Sequence, residues 1–214
     1  MSRIRSVGIL AAGTAVSQLI AFAVAPLLGR LYTPADFGLF GVFVSVAAMA
    51  AVVVTLRLDL AVVVPEADEE AMDVVGVGVL IAAAMTALSA GLVLVAGELL
   101  GRLLGEPGVV PLLALLPLYL GANGVFQMLN YWSTRTSHFS RLSVAEMTRS
   151  AGVAGVQVAG GYLGSGPGGL PLGQVFGQVV TACMLIVRSA STSRALFRRR
   201  LSISLVRQVF GRFR

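Results

Sequence analysis

The sequence predicts an all-α membrane protein with six transmembrane helices, and three observations carry that reading. Hydrophobic residues fill 57% of the 214 positions without counting 25 glycines, only 12% are charged, and mean hydropathy is +0.88, well beyond a soluble domain. The apolar residues fall into six stretches of roughly 18 to 24 residues, each able to cross a ~30 Å hydrocarbon core at ~1.5 Å per residue. The basic residues, all sixteen of them arginine, gather in alternate loops. The stretches are 7–28, 37–56, 74–97, 109–129, 142–163 and 170–187, and nothing between them is long and polar enough for a soluble domain.

Two arginines precede the first stretch, one lies in the 57–73 loop, two lie in the 130–141 loop and eight follow from Arg188 onward, thirteen in all. The intervening loops hold only Arg30 and Arg102. The positive-inside rule therefore places both termini in the cytoplasm, as six spans require, and the acidic cluster Glu66 to Asp73 weighs little against it. The first stretch is longer than a signal-peptide core and has Pro26 after its Ala-Val-Ala, so it reads as a retained helix. Cys183 is the one cysteine and His138 the one histidine, which leaves no disulfide framework and disfavours a metal site.

The second stretch opens on Thr33-Pro34-Ala35-Asp36, in which Thr33 caps, Pro34 suits the first helical position and Asp36 reaches back. A helix begun there has risen about 33 Å by Leu56, so Arg57 and Asp59 arrive at the cytoplasmic interface. Arg57 then either snorkels to the headgroups or faces the mouth of a central cavity. The fourth stretch contains two prolines, Pro111 and Pro117, each permitting a kink. It continues into a polar stripe, Tyr119, Asn123, Gln127, Asn130 and Thr134, at three- and four-residue steps. In the fifth, Glu146, Ser150 and Gln157 share a face and Arg149 stands three residues after Glu146, the order that suits an ion pair. Such faces point into protein or into a wet cavity. The first stretch adds Thr14, Ser17 and Gln18, and the sixth carries Gly169, Gly173 and Gly177 at steps of four, a face on which another backbone can pack closely.

Three ordered motifs resemble one family. R-L-Y-T-P-A-D-F-G-L-F-G (Arg30 to Gly41), T-L-R-L-D-L-A-V-V-V-P (Thr55 to Pro65) with the acidic E-A-D-E-E-A after it, and G-G-L-P-L-G-Q-V-F-G (Gly168 to Gly177) are similar to those of bacterial O-antigen and exopolysaccharide repeat-unit flippases. These belong to the multidrug/oligosaccharidyl-lipid/polysaccharide exporter superfamily. The resemblance implies two six-helix lobes around a V-shaped cavity in the bacterial inner membrane, with alternating access passing a polyprenyl-pyrophosphate-linked oligosaccharide between leaflets. At 214 residues the chain looks like the N-terminal lobe of that fold, 1–190. Residues 191–214 then form a basic amphipathic cytoplasmic tail or a truncated inter-lobe linker.

The expected partners are the bilayer, the lipid-linked oligosaccharide and a second six-helix lobe, in a separate chain or a second copy, with no nucleic acid and no cofactor. The candidate substrate-binding residues are Gln18, Arg30, Arg57, Asp59, Asn123, Gln127, Asn130, Glu146 and Arg149; arginine suits a pyrophosphate because its planar fork stays charged and takes oxygens in pairs. An inactive lobe serving as an interaction subunit of a polysaccharide assembly complex is the rival. A membrane enzyme is disfavoured, since the chain has no nucleophile with a base and no H-E-x-x-H pair. The topology is testable by cysteine labelling at Ser165 and Ser191: external access at Ser165 and protection at Ser191 are expected, and the reverse pattern would sink the orientation.

Overall fold

The structure, a computed structural model, describes residues 3–192, with side chains at 8 and from 11 to 189. Its described residues are helical, without a strand. In order come α1 (Arg3–Leu31), α2 (Pro34–Val53), a short α3 (Leu58–Ala61), α4 (Asp68–Leu103), a 3-10 turn (Pro107–Val109) leading into α5 (Val110–Leu113), α6 (Leu116–Arg135), α7 (Phe139–Tyr162), a second 3-10 turn (Gly166–Gly168) and α8 (Gly169–Thr192). The basic tail expected after residue 190 lies almost wholly outside the described residues.

Four spans, Ala11–Leu31, Pro34–Val53, Asp68–Leu103 and Gly166–Ser189, are long and apolar enough to cross a membrane, and a fifth is reached if the pair Pro107–Leu113 and Leu116–Arg135, bent by 49°, counts as one. The remaining expected segment, the fifth in order, is α7, a 24-residue helix whose Arg141, Glu146, Arg149 and polar neighbours lower its hydropathy. The outward faces suit lipid: Leu19 and Phe22 of α1 and Leu88, Leu94 and Val95 of α4 are all exposed, a display that would drive a water-soluble chain to aggregate.

Local chemistry explains the helix ends. The cap of α2 forms as its sequence requires: the Asp36 N–H donates to Thr33 Oγ1 at 3.2 Å and the Thr33 N–H to Asp36 Oδ2 at 2.8 Å. Its C-terminus comes three residues before the expected Leu56, because Leu56 and Arg57 turn into the left-handed region at φ 48° and 61° and restart the chain as α3. The α5–α6 break follows from Pro117, which lacks an N–H and crowds the carbonyl four residues earlier, that of Leu113, the last residue of α5. α4 outruns its apolar core at both ends. Asp68, Glu69 and Glu70 favour its N-terminal dipole, while Glu98 and Arg102, 4.0 Å apart at i,i+4, extend its far end in solvent.

α7 lies between α1 and α8, and α6 between α4 and α8, with α2 laid against α6 and α8. Lipid tails are as apolar as leucine, so close packing rather than water exclusion holds such helices together. Glycine permits it at the α7–α8 seam: a Cβ at Gly173 would stand 2.9 Å from the Val153 carbonyl oxygen, and one at Gly177 2.9 Å from that of Arg149. One end of the bundle is tied by Arg135, whose guanidinium donates to the carbonyls of Pro65 (2.5 Å) and Glu66 (2.9 Å) and to Asp68 Oδ1 (3.0 Å). The other end is tied by Tyr32, which donates to the Gln157 carbonyl at 2.7 Å.

Two outcomes follow. Gly177→Ala should destabilise the detergent-solubilised protein by about 1–3 kcal/mol through overpacking, whereas Gly41→Ala, with open space around its Cβ, should stabilise it by up to about 1 kcal/mol. Thermal unfolding of the two variants compares them directly, and equal melting temperatures would contradict the seam. Arg135→Met should expose the 62–67 segment to proteolysis several-fold faster than in the parent. Asp68→Asn should do so far less, because Asp68 is 63% exposed and two of the three bonds go to carbonyls.

Candidate functional site

Two cavities open along α2. The first, of about 340 Å³, lies among α1, α2, α7 and α8. α7 presents Glu146, Arg149, Ser150, Val153 and Gln157 to it at three- and four-residue steps, one face of a helix. α1 contributes Ser17 and Gln18, α8 contributes Gln174, and α2 closes it with Phe37 and Phe40. The helix backbones are held in register by a bond from Ser150 Oγ to the Ser17 carbonyl at 2.8 Å. Another runs from Gln157 Nε2 to the Leu170 carbonyl at 3.0 Å. Ser17 returns its own hydroxyl to Gly13 of the same helix.

The charge in this cavity is a single pair. Arg149 and Glu146, the only charged residues of its lining among the described residues, meet fork to carboxylate: Nε donates to Glu146 Oε2 at 3.2 Å and Nη2 to Oε1. Each side chain remains 32% exposed, so the pair is reachable from the cavity. The chemistry on offer is a guanidinium fork that can take two oxygens of an anion, amides and a hydroxyl that can bond hydroxyl groups, and two aromatic rings.

The second cavity, of about 210 Å³, sits at the C-terminal end of α2, between Ala48, Ala51, Val52, Thr55, Arg57, Asp59 and Gln127 of α6. Asp59 is 2% exposed and accepts the Thr55 hydroxyl at 2.8 Å. Arg57 is exposed at the rim, and its side chain carries no hydrogen bond or ion pair among the described residues. The left-handed turn at Leu56 and Arg57 lies between these two bonded side chains. Two successive non-glycine residues at positive φ cost of order 1–3 kcal/mol each, the kind of strain that surrounding structure must hold in place.

The nine residues singled out from the sequence thus divide. Gln18, Glu146 and Arg149 meet in the first cavity and Arg57, Asp59 and Gln127 in the second. Arg30, Asn123 and Asn130 line neither. Arg30 is exposed on the last turn of α1. Asn123 is buried against α8, accepting from Gln178 Nε2 at 3.3 Å with its own amide nitrogen unpartnered. Asn130 is partly buried, and its carbonyl accepts the Thr134 hydroxyl. The polar stripe of α6 therefore serves two ends, helix pairing at Asn123 and cavity wall at Gln127. Gly169, Gly173 and Gly177 lie buried on the face of α8 that meets α7 and Tyr32.

Thr55 went unnoticed in the sequence, although its place four residues before Asp59 is a readable pair. Tyr32 had no local signal, since its partner Gln157 is 125 residues away.

Residues 27–211 match the family model described as polysaccharide biosynthesis protein. No curated protein and no solved structure gives a significant match. The matched range takes in the end of α1, the whole second cavity, the α2, α7 and α8 walls of the first, and every helix after α1. A bundle of long apolar helices around two arginine-bearing cavities, matched over this range, is a membrane protein with a role in polysaccharide synthesis: the chain belongs to the polysaccharide biosynthesis protein family.

Proposed function

We propose that the chain is a flippase, or half of one, that carries polyprenyl-pyrophosphate-linked oligosaccharide units across the bacterial inner membrane without catalysing a reaction on them. The observation that carries this reading is Arg149, a guanidinium fork turned into a cavity of about 340 Å³ among helices built for lipid. A charge at such a place is costly and needs a use, and the fork fits the oxygens of a pyrophosphate. Gln18 and Gln174 supply donors and acceptors for sugar hydroxyls, and Phe37 and Phe40 offer flat apolar faces for sugar rings. Arg57, whose side chain has no partner among the described residues at the rim of the second cavity, is a second receptor for the headgroup.

The same reading makes α7 a span as well, the fifth in order, and brings the count to six. It is long enough, at about 36 Å, and packs between α1 and α8, both of which qualify as spans on their own. Its low hydropathy is what a cavity-lining helix requires, because its polar face meets protein and cargo instead of lipid. A second lobe, from another chain or a second copy, completes the passage, with both termini of this one in the cytoplasm.

The test is complementation of a flippase-deficient strain with a second lobe supplied. Arg57→Lys and Arg149→Lys keep the charge and lose the fork, so each should lower polysaccharide export by about tenfold or more at unchanged protein abundance. Full export by both lysine variants would remove the pyrophosphate from these sites, and arginines that only anchor the helices would tolerate the change.

A further inference from the structure

The two arginines differ in one respect that the transport reading leaves unused. The Arg57 guanidinium has no partner among the described residues, whereas that of Arg149 already holds two oxygens, both from Glu146. A carboxylate in that position stands where a phosphate would bind. It presents two oxygens in the plane of the fork, which is the geometry by which an arginine takes a phosphate. It is also attached three residues away on the same helix, so it can leave by rotating about its own side-chain bonds while the backbone of α7 stays still. Both partners are open to the cavity, and nothing else in the lining is charged.

We propose that Glu146 is a self-ligand that sets which anions this cavity accepts, and that cargo binds by exchanging phosphate for carboxylate on the Arg149 fork. The proposal rests on the reading of Arg149 as an anion seat. Its consequence is selectivity. A monoanion such as a carboxylate gains nothing over Glu146, which is tethered and already in place, so it is excluded. A pyrophosphate carries more charge and more acceptor oxygens than one carboxylate and displaces it. A neutral headgroup finds the fork filled. In the empty cavity the pair cancels its own charge, so the vacant protein does not hold a bare cation among apolar helices. Ser150, beside Arg149 in the lining, has given its hydroxyl to Ser17 and offers Glu146 no competing donor.

The experiment uses the full chain purified in detergent, with inorganic pyrophosphate and acetate as probes, followed by calorimetric titration and thermal unfolding. Glu146→Gln should bind pyrophosphate about tenfold tighter than the parent, since a tethered charge-assisted competitor has been removed. It should also gain a rise in melting temperature with acetate, which takes the vacated place; the parent should not. Arg149→Gln should show neither effect.

Unchanged or weaker pyrophosphate binding by folded Glu146→Gln, with no response to acetate, would overturn the exchange and make Glu146 a support that aims the fork. If acetate stabilises Glu146→Gln but neither it nor the parent binds pyrophosphate, the self-ligand stands and the phosphate reading falls. Should Glu146→Gln fail to fold, Glu146→Asp, one methylene shorter and a poorer reach to Arg149, should bind pyrophosphate several-fold tighter than the parent, and a value equal to the parent or weaker would overturn the proposal.

Discussion

α7 brings Glu146, Arg149, Ser150 and Gln157 into a bundle whose neighbouring helices are apolar, and a low-dielectric surrounding makes every unanswered polar group expensive. Its polar groups are answered by protein. Arg149 and Glu146 answer each other, Ser150 bonds α1, and Gln157 bonds the start of α8. Those bonds need backbones that approach closely, and the approach depends on residues without side chains, Gly13 facing Ser143 on the α1 side and Gly173 and Gly177 facing Val153 and Arg149 on the other. Hydrogen bonds and glycines are therefore a single arrangement: widening the seam by one methyl would lengthen the bonds that justify the polar helix.

α2 is the common wall of both cavities. It gives Phe37 and Phe40 to one, and Ala48, Ala51 and Val52, with Thr55 just past its end, to the other, positions that fall on one side of the helix. Its start is fixed by the Thr33–Asp36 box and by Tyr32, locked onto α7. Its end is fixed by the Thr55–Asp59 bond under a left-handed turn. Between these points it lies on α6 and α8 and makes little contact with α1, which leaves the first cavity open between α1 and α2.

Composition and periodicity were enough to find the long helices, because crossing a bilayer demands about 20 apolar residues in a row and little else in a chain produces such runs. The capping box of α2 was readable because all its members lie within four residues. The Glu146–Arg149 pair was readable for the same reason. The end of α2 was not, since positive φ at Leu56 and Arg57 contradicts their propensity and is held by tertiary contacts. Periodicity placed Asn123 and Gln127 on one face but could not tell which neighbour each would meet. One meets Gln178 on α8 and the other a cavity beside α2. Arg30 attracted attention by lying in a motif, yet it stands apart from both cavities. Arg135 and Tyr32, which tie the two ends of the bundle, reach partners 67 and 125 residues away, beyond anything local spacing encodes.

α4 is the longest of the described helices. Its 36 residues make a rod of about 54 Å, and the apolar part, 74–97, alone comes to about 36 Å against a hydrocarbon core of about 30 Å. A rod longer than the layer it crosses leans, or gathers thicker lipid around itself, at a cost of fractions of a kcal/mol per Å of mismatch. Because α4 packs along α6, and α6 carries Gln127 into the second cavity, bilayer thickness enters the geometry of that cavity as a mechanical variable. The lipid composition of the host membrane is thus part of the site's shape, set by the length of one helix.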